Sequence, residues 1–460
     1  MTTKQMRTWM TKRKYFGTDG IRGAVGEGPI TVDFMLRLGN AVGRVLHMHQ
    51  PSDGARHKLQ VVIGKDTRIS GYMIQSALEA GLISAGIDVL LSGPLPTPAV
   101  AHLTRSMRLD LGIVISASHN PFGDNGIKFF SAGGRKLPDQ WELEVEELLK
   151  GEMVTVKSAA LGKSERLRGA ADRYIEFCKS TFDPNLSLKG LKIVVDAAHG
   201  AAYETAPATF HELGAEVVKI GCEPTGLNIN DGYGATHTHN LCEAVKKHNA
   251  DYGIALDGDA DRLMMVDGDG TLYDGDQLLY ILALDRKAQG KEIHGVIGTF
   301  MTNMGVQQAL KRIGITMVRA NVGDRYILQQ LDELGWELGG ESSGHLLDMS
   351  CHTTGDGTIS ALLVLQALAR SKKSMQQLLS GVEMYPQITI NVPIERGTDW
   401  KTLKVKGAIK HLEDYLGPTG RVLIRASGTE PVVRVMVECR DHNLAKNGAE
   451  TIANMIGASQ

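Results

Sequence analysis

The strongest constraint on how this chain can fold is a pattern that recurs along most of its length. Short runs rich in β-branched residues alternate with stretches of helical apolar spacing, and several runs stop abruptly at a polar or glycine-rich loop. Runs at 59–64, 87–91 and 111–115 alternate with helical patterns at 31–46, 71–85 and 97–107. Such runs read as buried strands, and the alternation requires crossover connections, so a mainly parallel sheet is expected. The cycle returns with runs at 191–195, 216–220 and 252–256, and again at 295–298 and 316–319. An acidic helix at 141–150 and an aperiodic polar segment at 151–168 close the first cycle, and 371–381 reads as a linker. The last segment differs, with strands at 387–392, 421–425 and 432–438 and a helix at about 400–416. A chain of 460 residues is too long for one core. The expected domains are 1–168, 169–273, 274–383 and 384–460.

The net charge of -2 and the lack of a long basic run give no footprint for nucleic acid. No apolar stretch approaches the roughly 18 residues of a membrane span. The five cysteines, Cys178, Cys222, Cys242, Cys351 and Cys439, form no C-x-x-C pair, which argues against a zinc site or a disulfide framework and for a reducing compartment. The basic leader, 1–17, has no apolar core like that of a signal peptide, so a cytoplasmic location is expected. These features leave room for a small anionic ligand held by a few local arginines.

Four loops carry residues suited to chemistry. Ser116-Ala117-Ser118-His119-Asn120-Pro121 follows the run at 111–115, at the carboxyl end of a strand, where open α/β sheets bind ligands. Ser118 is a candidate nucleophile, with His119 and, after a turn at 123–126, Lys128 to accept a proton and stabilise charge. The run at 252–256 ends in Asp257-Gly258-Asp259-Ala260-Asp261-Arg262. Three carboxylates at alternating positions of an extended segment share one side, and an all-oxygen set suits Mg²⁺. An EF-hand is excluded, because Arg262 and Gly268 stand where it needs glycine and glutamate. The glycine-rich loop 338–345 offers Glu341, Ser342, Ser343 and His345 to sugar hydroxyls. Finally, 426–431 sets hydroxyls and successive backbone N–H groups between Arg425 and Arg434, a candidate anion nest. Near the N-terminus, Gly17-Thr18-Asp19-Gly20-Ile21-Arg22-Gly23 reads as a glycine-rich turn that lets Arg22 meet a phosphate. Each loop taken alone also has a reading as a solvated turn, strongest for the Ser118 loop and weakest for the aspartate run. The plain turn at 267–270 is assigned no ligand.

Together and in this order, SASHNP, DGDADR, GESSGH and RASGTEP resemble the phosphoserine, metal, sugar and phosphate loops of the α-D-phosphohexomutase superfamily. The forms FGTDGIRG and Ser342-Ser343 are most similar to the branch that acts on glucosamine phosphates, whereas relatives acting on glucose or mannose phosphates usually carry methionine at the position of Ser342. Departures are small: Ala426 replaces a common lysine or proline, 50–57 looks like an insertion, and the leader is long.

The resemblance implies an α/β fold of four domains around a central cleft, three related mixed α/β domains and a C-terminal α+β domain with an antiparallel sheet. It implies a Mg²⁺-dependent mutase interconverting glucosamine 6-phosphate and glucosamine 1-phosphate, for UDP-N-acetylglucosamine synthesis. Ser118 would be carried as phosphoserine and would bind one Mg²⁺ with Asp257, Asp259 and Asp261. Arg22, Lys128 and Arg262 would add positive charge, and Lys128 or His345 would serve as general acid or base. A sugar 1,6-bisphosphate would turn end over end, its sugar held by Glu341 and Ser343, its idle phosphate by Arg425, Ser427, Gly428, Thr429 and Arg434. A monomer or homodimer is expected, with a sugar phosphate as its small-molecule partner. The alternatives are a phosphoglucomutase or phosphomannomutase, a metal-dependent phosphatase, and a sugar-phosphate-binding regulator.

Overall fold

The computed structural model describes residues 13–50, 58–395, 400, 402–426 and 431–457. Its strands form four sheets. The first contains β1 (Ile21–Ala24), β2 (Gln60–Lys65), β3 (Asp88–Pro94), β4 (Leu111–Ile115), β5 (Asp124–Ser131) and β6 (Ser164–Arg166), in the order β1-β5-β4-β2-β3-β6. The second contains β7 (Lys192–Asp196), β8 (Glu216–Ile220), β9 (Tyr252–Leu256), β10 (Leu263–Asp267) and β11 (Leu272–Tyr273), ordered β11-β10-β9-β7-β8. The third contains β12 (Val296–Thr299), β13 (Met317–Ala320), β14 (Leu338–Gly340) and β15 (Leu346–Asp348), ordered β13-β12-β14-β15. In the last, β18 (Val432–Cys439) lies antiparallel between β16 (Gln387–Pro393) and β17 (Gly420–Ala426).

The first three sheets share one device. β4, β9 and β14 each pair in parallel on one side and turn back antiparallel on the other, into β5, β10 and β15. The three turn-backs are the segments 116–123, 257–262 and 341–345, so three of the chemistry-bearing loops occupy equivalent places in related sheets. Strand–helix alternation correctly anticipates the parallel part, but these sheets are mixed.

The apolar runs are nearly continuous because both faces of the parallel strands are covered. Val61, Ile63, Ile113 and Ile115 pack under the helices Val32–Met48 and Ser70–Ser84, against Met35, Leu38, Ile74 and Leu78. Val62 and Val114, one residue out of phase, face the opposite way into a core that runs on through Val100, Tyr174, Phe210, Ile254, Leu282 and Leu365. That shared core joins the first three sheets. The fourth has its own small one around Val392, Trp400, Val433, Val435 and Ile452. No described helix is long and apolar enough to cross a membrane.

Several local expectations need correction. The stretch read as a glycine-rich turn supplies β1, whose Arg22 lies opposite Gly126, and the turn at 123–126 is mostly strand, since β5 begins at Asp124. Glycine suppressed the strand reading there, yet it is needed, because a Cβ on Gly126 would lie 2.8 Å from the carbonyl oxygens of Ile21 and Ser116. The aperiodic segment 151–168 contributes the exposed edge strand β6, invisible to an apolar pattern. The linker 371–381 contains the helix Met375–Leu378, begun by a capping box at Ser374 and Gln377. The loop read at 338–345 starts as β14.

Candidate active site

Ser118 sits at the carboxyl end of β4 with a left-handed backbone, φ 53°. It is only 1% exposed, and its hydroxyl donates to Asp257 Oδ2 at 2.6 Å. His119 Nδ1 lies 3.4 Å from the same hydroxyl. Burial, with Arg262 and Arg22 nearby, pushes the His119 pKa down to about 4, so the ring is neutral and able to accept a proton.

The acidic run is buried, and one oxygen from each of Asp257, Asp259 and Asp261 lies within 4.8 Å of the others. The convergence does not come from an extended segment. Residues 257–262 curl as a turn through Ala260 at φ 60°, and Ala260 N closes it onto Asp257 O. Thr97 Oγ1 fixes Asp259 Oδ2 from the first unit at 2.6 Å, while Asp259 Oδ1 and Asp261 Oδ1 are buried with no hydrogen-bond partner among the described residues. Burial, reinforced by Asp261 and Asp259, raises the Asp257 pKa to about 8. Three crowded carboxylates with unsatisfied oxygens fit a hard divalent cation.

Lysine and arginine partly offset that charge. Lys128, on β5, donates to Asp259 at 2.8 Å and Asp261 at 3.2 Å and pairs with Asp19 at 3.1 Å. Burial opposes its charge, but the three carboxylates outweigh burial and hold its pKa well above the usual lysine value. Arg22 pairs with Asp19, and Arg262 Nε lies 4.0 Å from both Asp257 and Asp261.

From the third sheet, His345 Nδ1 is 3.6 Å from Asp261 and its buried Nε2 is 3.9 Å from Asp324. Burial works against its charge, yet Asp261, Asp324 and Glu341 raise its pKa to about 9. Glu341 accepts a hydrogen bond from Ser343 at 2.6 Å. Gly344 lies at φ 92°, and its carbonyl accepts from Leu263 N at 2.9 Å, which ties the sugar-loop candidate to the metal-loop candidate.

Arg22, Ser118, Asp261, Arg262, Glu341 and His345 line one cleft of about 410 Å³, joined by Asp19, Asp324 and glycines of both neighbouring loops. Arg425 and Arg434 are outside that lining. They lie directly opposite each other on β17 and β18, an arrangement of like charges that favours an anion between them. Burial and Arg434 lower the Arg425 pKa, while Glu341 counteracts them across the cleft. Ser427, Gly428 and Thr429 fall outside the described residues.

Two groups went unnoticed in the sequence. Asp66 and Arg68 follow β2 and are buried against the Ser118 loop, and Asn230 reaches that loop from the second unit. A signal was available: a charged loop at the carboxyl end of the strand beside β4 is where a ligand site finds its supports.

Models of the phosphoglucomutase/phosphomannomutase family match four successive stretches: alpha/beta/alpha domain I at 13–154, domain II at 172–270, domain III at 274–385 and the C-terminal domain at 390–455. The chain belongs to this family, and with it to the α-D-phosphohexomutase superfamily. Among curated proteins, it is 62% identical over 445 residues to the phosphoglucosamine mutase of Polaromonas naphthalenivorans (strain CJ2), covering 96% of this chain and 99% of that one. To the phosphoglucosamine mutase of Delftia acidovorans (strain DSM 14801 / SPH-1) it is 61% identical over 444 residues, with 96% and 98% covered. A phosphoglucomutase/phosphomannomutase family protein from Burkholderia thailandensis shares the fold, with a TM-score of 0.79 at 24% identity over 96% of this chain and 97% of that one.

Proposed function

We propose that this chain is a phosphoglucosamine mutase, interconverting glucosamine 6-phosphate and glucosamine 1-phosphate through phosphorylated Ser118 and a 1,6-bisphosphate. The observation that carries the reading is the Ser118 hydroxyl held 2.6 Å from Asp257 within the acidic triad, at one end of a cleft whose other wall carries Glu341 and His345. The identity of more than 60% to phosphoglucosamine mutases over nearly the whole chain selects the sugar.

In the first half-reaction the bond between phosphorus and Ser118 Oγ breaks as a bond from phosphorus to the free sugar hydroxyl oxygen forms, and that hydroxyl gives up its proton. In the second, the bond from the other phosphorus to its sugar oxygen breaks as a bond to Ser118 Oγ re-forms, the Ser118 hydroxyl gives up its proton and the sugar oxygen regains one. Asp257, Asp259 and Asp261 would hold Mg²⁺. When bound, the ion would neutralise charge on the transferring group. Lys128, Arg22 and Arg262 place positive charge around it. Neutral His119 is placed to accept a proton, and charged His345 to donate one. Glu341 and Ser343 would hold the sugar hydroxyls, with Arg425, Arg434 and the loop of Ser427, Gly428 and Thr429 on the idle phosphate. Domains bounded at 168, 273 and 383 would let the cleft open for the intermediate to turn. A cytoplasmic monomer or homodimer completes the proposal.

Ser118→Ala tests the nucleophile. The variant should take up no phosphoryl group from glucosamine 1,6-bisphosphate by intact mass and should not isomerise either monophosphate. Isomerisation at the wild-type rate would refute the assignment.

A further inference from the structure

The Ser118 loop is shaped by a buried side chain that does not itself line the cleft. Arg68 is fully buried, and four of its guanidinium N–H groups are spoken for. Nε donates to Asp66 Oδ2 at 2.8 Å, one terminal nitrogen donates to Pro121 O, and the other donates to Ser118 O at 3.0 Å and Asn120 O at 2.8 Å. Asp66 Oδ2 also accepts from Ser116 Oγ at 2.6 Å, and Ser116 Oγ accepts from Ser118 N at 3.0 Å. Asn230 Nδ2 adds a second donor to Ser118 O at 2.9 Å and to Asn120 O at 3.0 Å. Both backbone polar groups of Ser118 thus trace back to the Asp66–Arg68 pair.

This arrangement has two physical consequences. A left-handed serine costs about 1–2 kcal/mol, so φ 53° persists only where its surroundings impose it. In a trans peptide, moreover, the N–H lies opposite the C=O. With Ser118 O drawn to Arg68, the His119 N–H of the same peptide points away from Arg68, and it has no acceptor among the described residues. A flipped peptide would turn a carbonyl oxygen towards a group that already faces three carboxylates.

We propose that Arg68, braced by Asp66 and Asn230, is the positioning residue that sets the peptide plane after Ser118, so that the His119 N–H rather than a carbonyl oxygen meets the transferring phosphoryl group. The inference rests on Ser118 being the phosphoryl carrier. Arg68 acts through that peptide and touches no substrate.

The test is single-turnover transfer of the phosphoryl group from glucosamine 1,6-bisphosphate to dephosphorylated enzyme, followed by intact mass, for wild type and Arg68→Lys. Steady-state kcat and KM and the melting temperature are measured alongside. Lysine keeps the charge but cannot reach three carbonyls at once. Misplacement of the nucleophile by about 1 Å should slow transfer and kcat by about 100-fold, with KM within about threefold and the melting temperature near that of wild type. A folded R68K that transfers at the wild-type rate, or one in which KM alone changes, overturns the inference. If R68K does not fold, Ser116→Ala takes its place. It removes one hydroxyl of the same network and should slow the same step about tenfold, again with KM unchanged, while wild-type rates in it overturn the inference. Wild-type enzyme that accepts no phosphoryl group on Ser118 would refute the carrier reading itself, and the inference would fall with it.

Discussion

Lys128→Met removes the cation that holds the acidic centre together. At an effective dielectric of about 20, an ammonium 2.8 Å from Asp259, 3.1 Å from Asp19 and 3.2 Å from Asp261 is attracted by roughly 5–6 kcal/mol to each. Two carboxylates 4.8 Å apart repel by roughly 3.5 kcal/mol on the same scale. Desolvation of the ammonium cancels much of the attraction, and removing one partner from a buried ion cluster costs about 3–5 kcal/mol. With an unfolding entropy of about 2.1 cal/mol/K per residue, a chain of 460 residues shifts by about 1 °C per kcal/mol, so K128M in EDTA should melt roughly 3–5 °C below wild type. Added Mg²⁺ should recover more stability in the variant than in wild type, because the ion no longer shares its ligands with a lysine. Scanning fluorimetry across a Mg²⁺ titration, with calorimetric binding, measures both effects. A variant that melts with wild type in EDTA, or that binds Mg²⁺ more weakly, would mean that Lys128 does not offset the charge of the aspartates.

Three further outcomes are expected. Burial, aided by His102 and Arg105, lowers the His352 pKa to about 3, while His352 Nε2 donates to Pro98 O at 2.9 Å and Nδ1 accepts from Thr353 N at 2.7 Å. The folded-state pKa is depressed, so the contribution is intact above pH 6.5 and lost as pH falls towards 3. That loss is about 2 kcal/mol by pH 5, and His352→Gln should flatten this acid limb of melting temperature against pH. Gly344→Ala would place a Cβ 2.2 Å from Leu263 O at φ 92°. It should destabilise by about 2 kcal/mol or more and impair turnover through the displaced sugar loop, both absent if the loop is loosely held. Arg425→Ala should raise KM for sugar phosphate about tenfold or more, and an unchanged KM in initial-rate kinetics would remove it from the phosphate clamp.

The parts of the fold legible in the sequence were those with a strong period. Short runs without charged residues such as 111–115 and 252–256 gave β4 and β9 to the residue, because strands covered on both faces need no polar alternation. Strands built from glycine or charge were illegible: β1, β6 and β14 carry their pairing in the backbone, where side-chain patterns say nothing. In the site, residue type picked out Ser118, the three aspartates and His345 as candidates, and the fold gathers them around one acidic centre and its cleft. How they meet was not legible. The left-handed turns at Ser118 and Ala260 are imposed by distant contacts, among them Arg68 and Asn230 on Ser118 O, and those contacts are 50 and 112 residues away in sequence. Locally, Arg68 reads as one more surface arginine.

A mutase of this kind moves a phosphoryl group between two positions of glucosamine. Phosphorus NMR tests it directly, with purified protein, Mg²⁺, a trace of sugar bisphosphate, and the 1-phosphates of glucosamine, glucose and mannose in separate tubes. The glucosamine 1-phosphate resonance should give way to glucosamine 6-phosphate much faster than either of the other pairs interconverts. Equal or faster conversion of glucose or mannose phosphate would contradict the assigned sugar, and steady release of free phosphate without isomerisation would contradict the mutase.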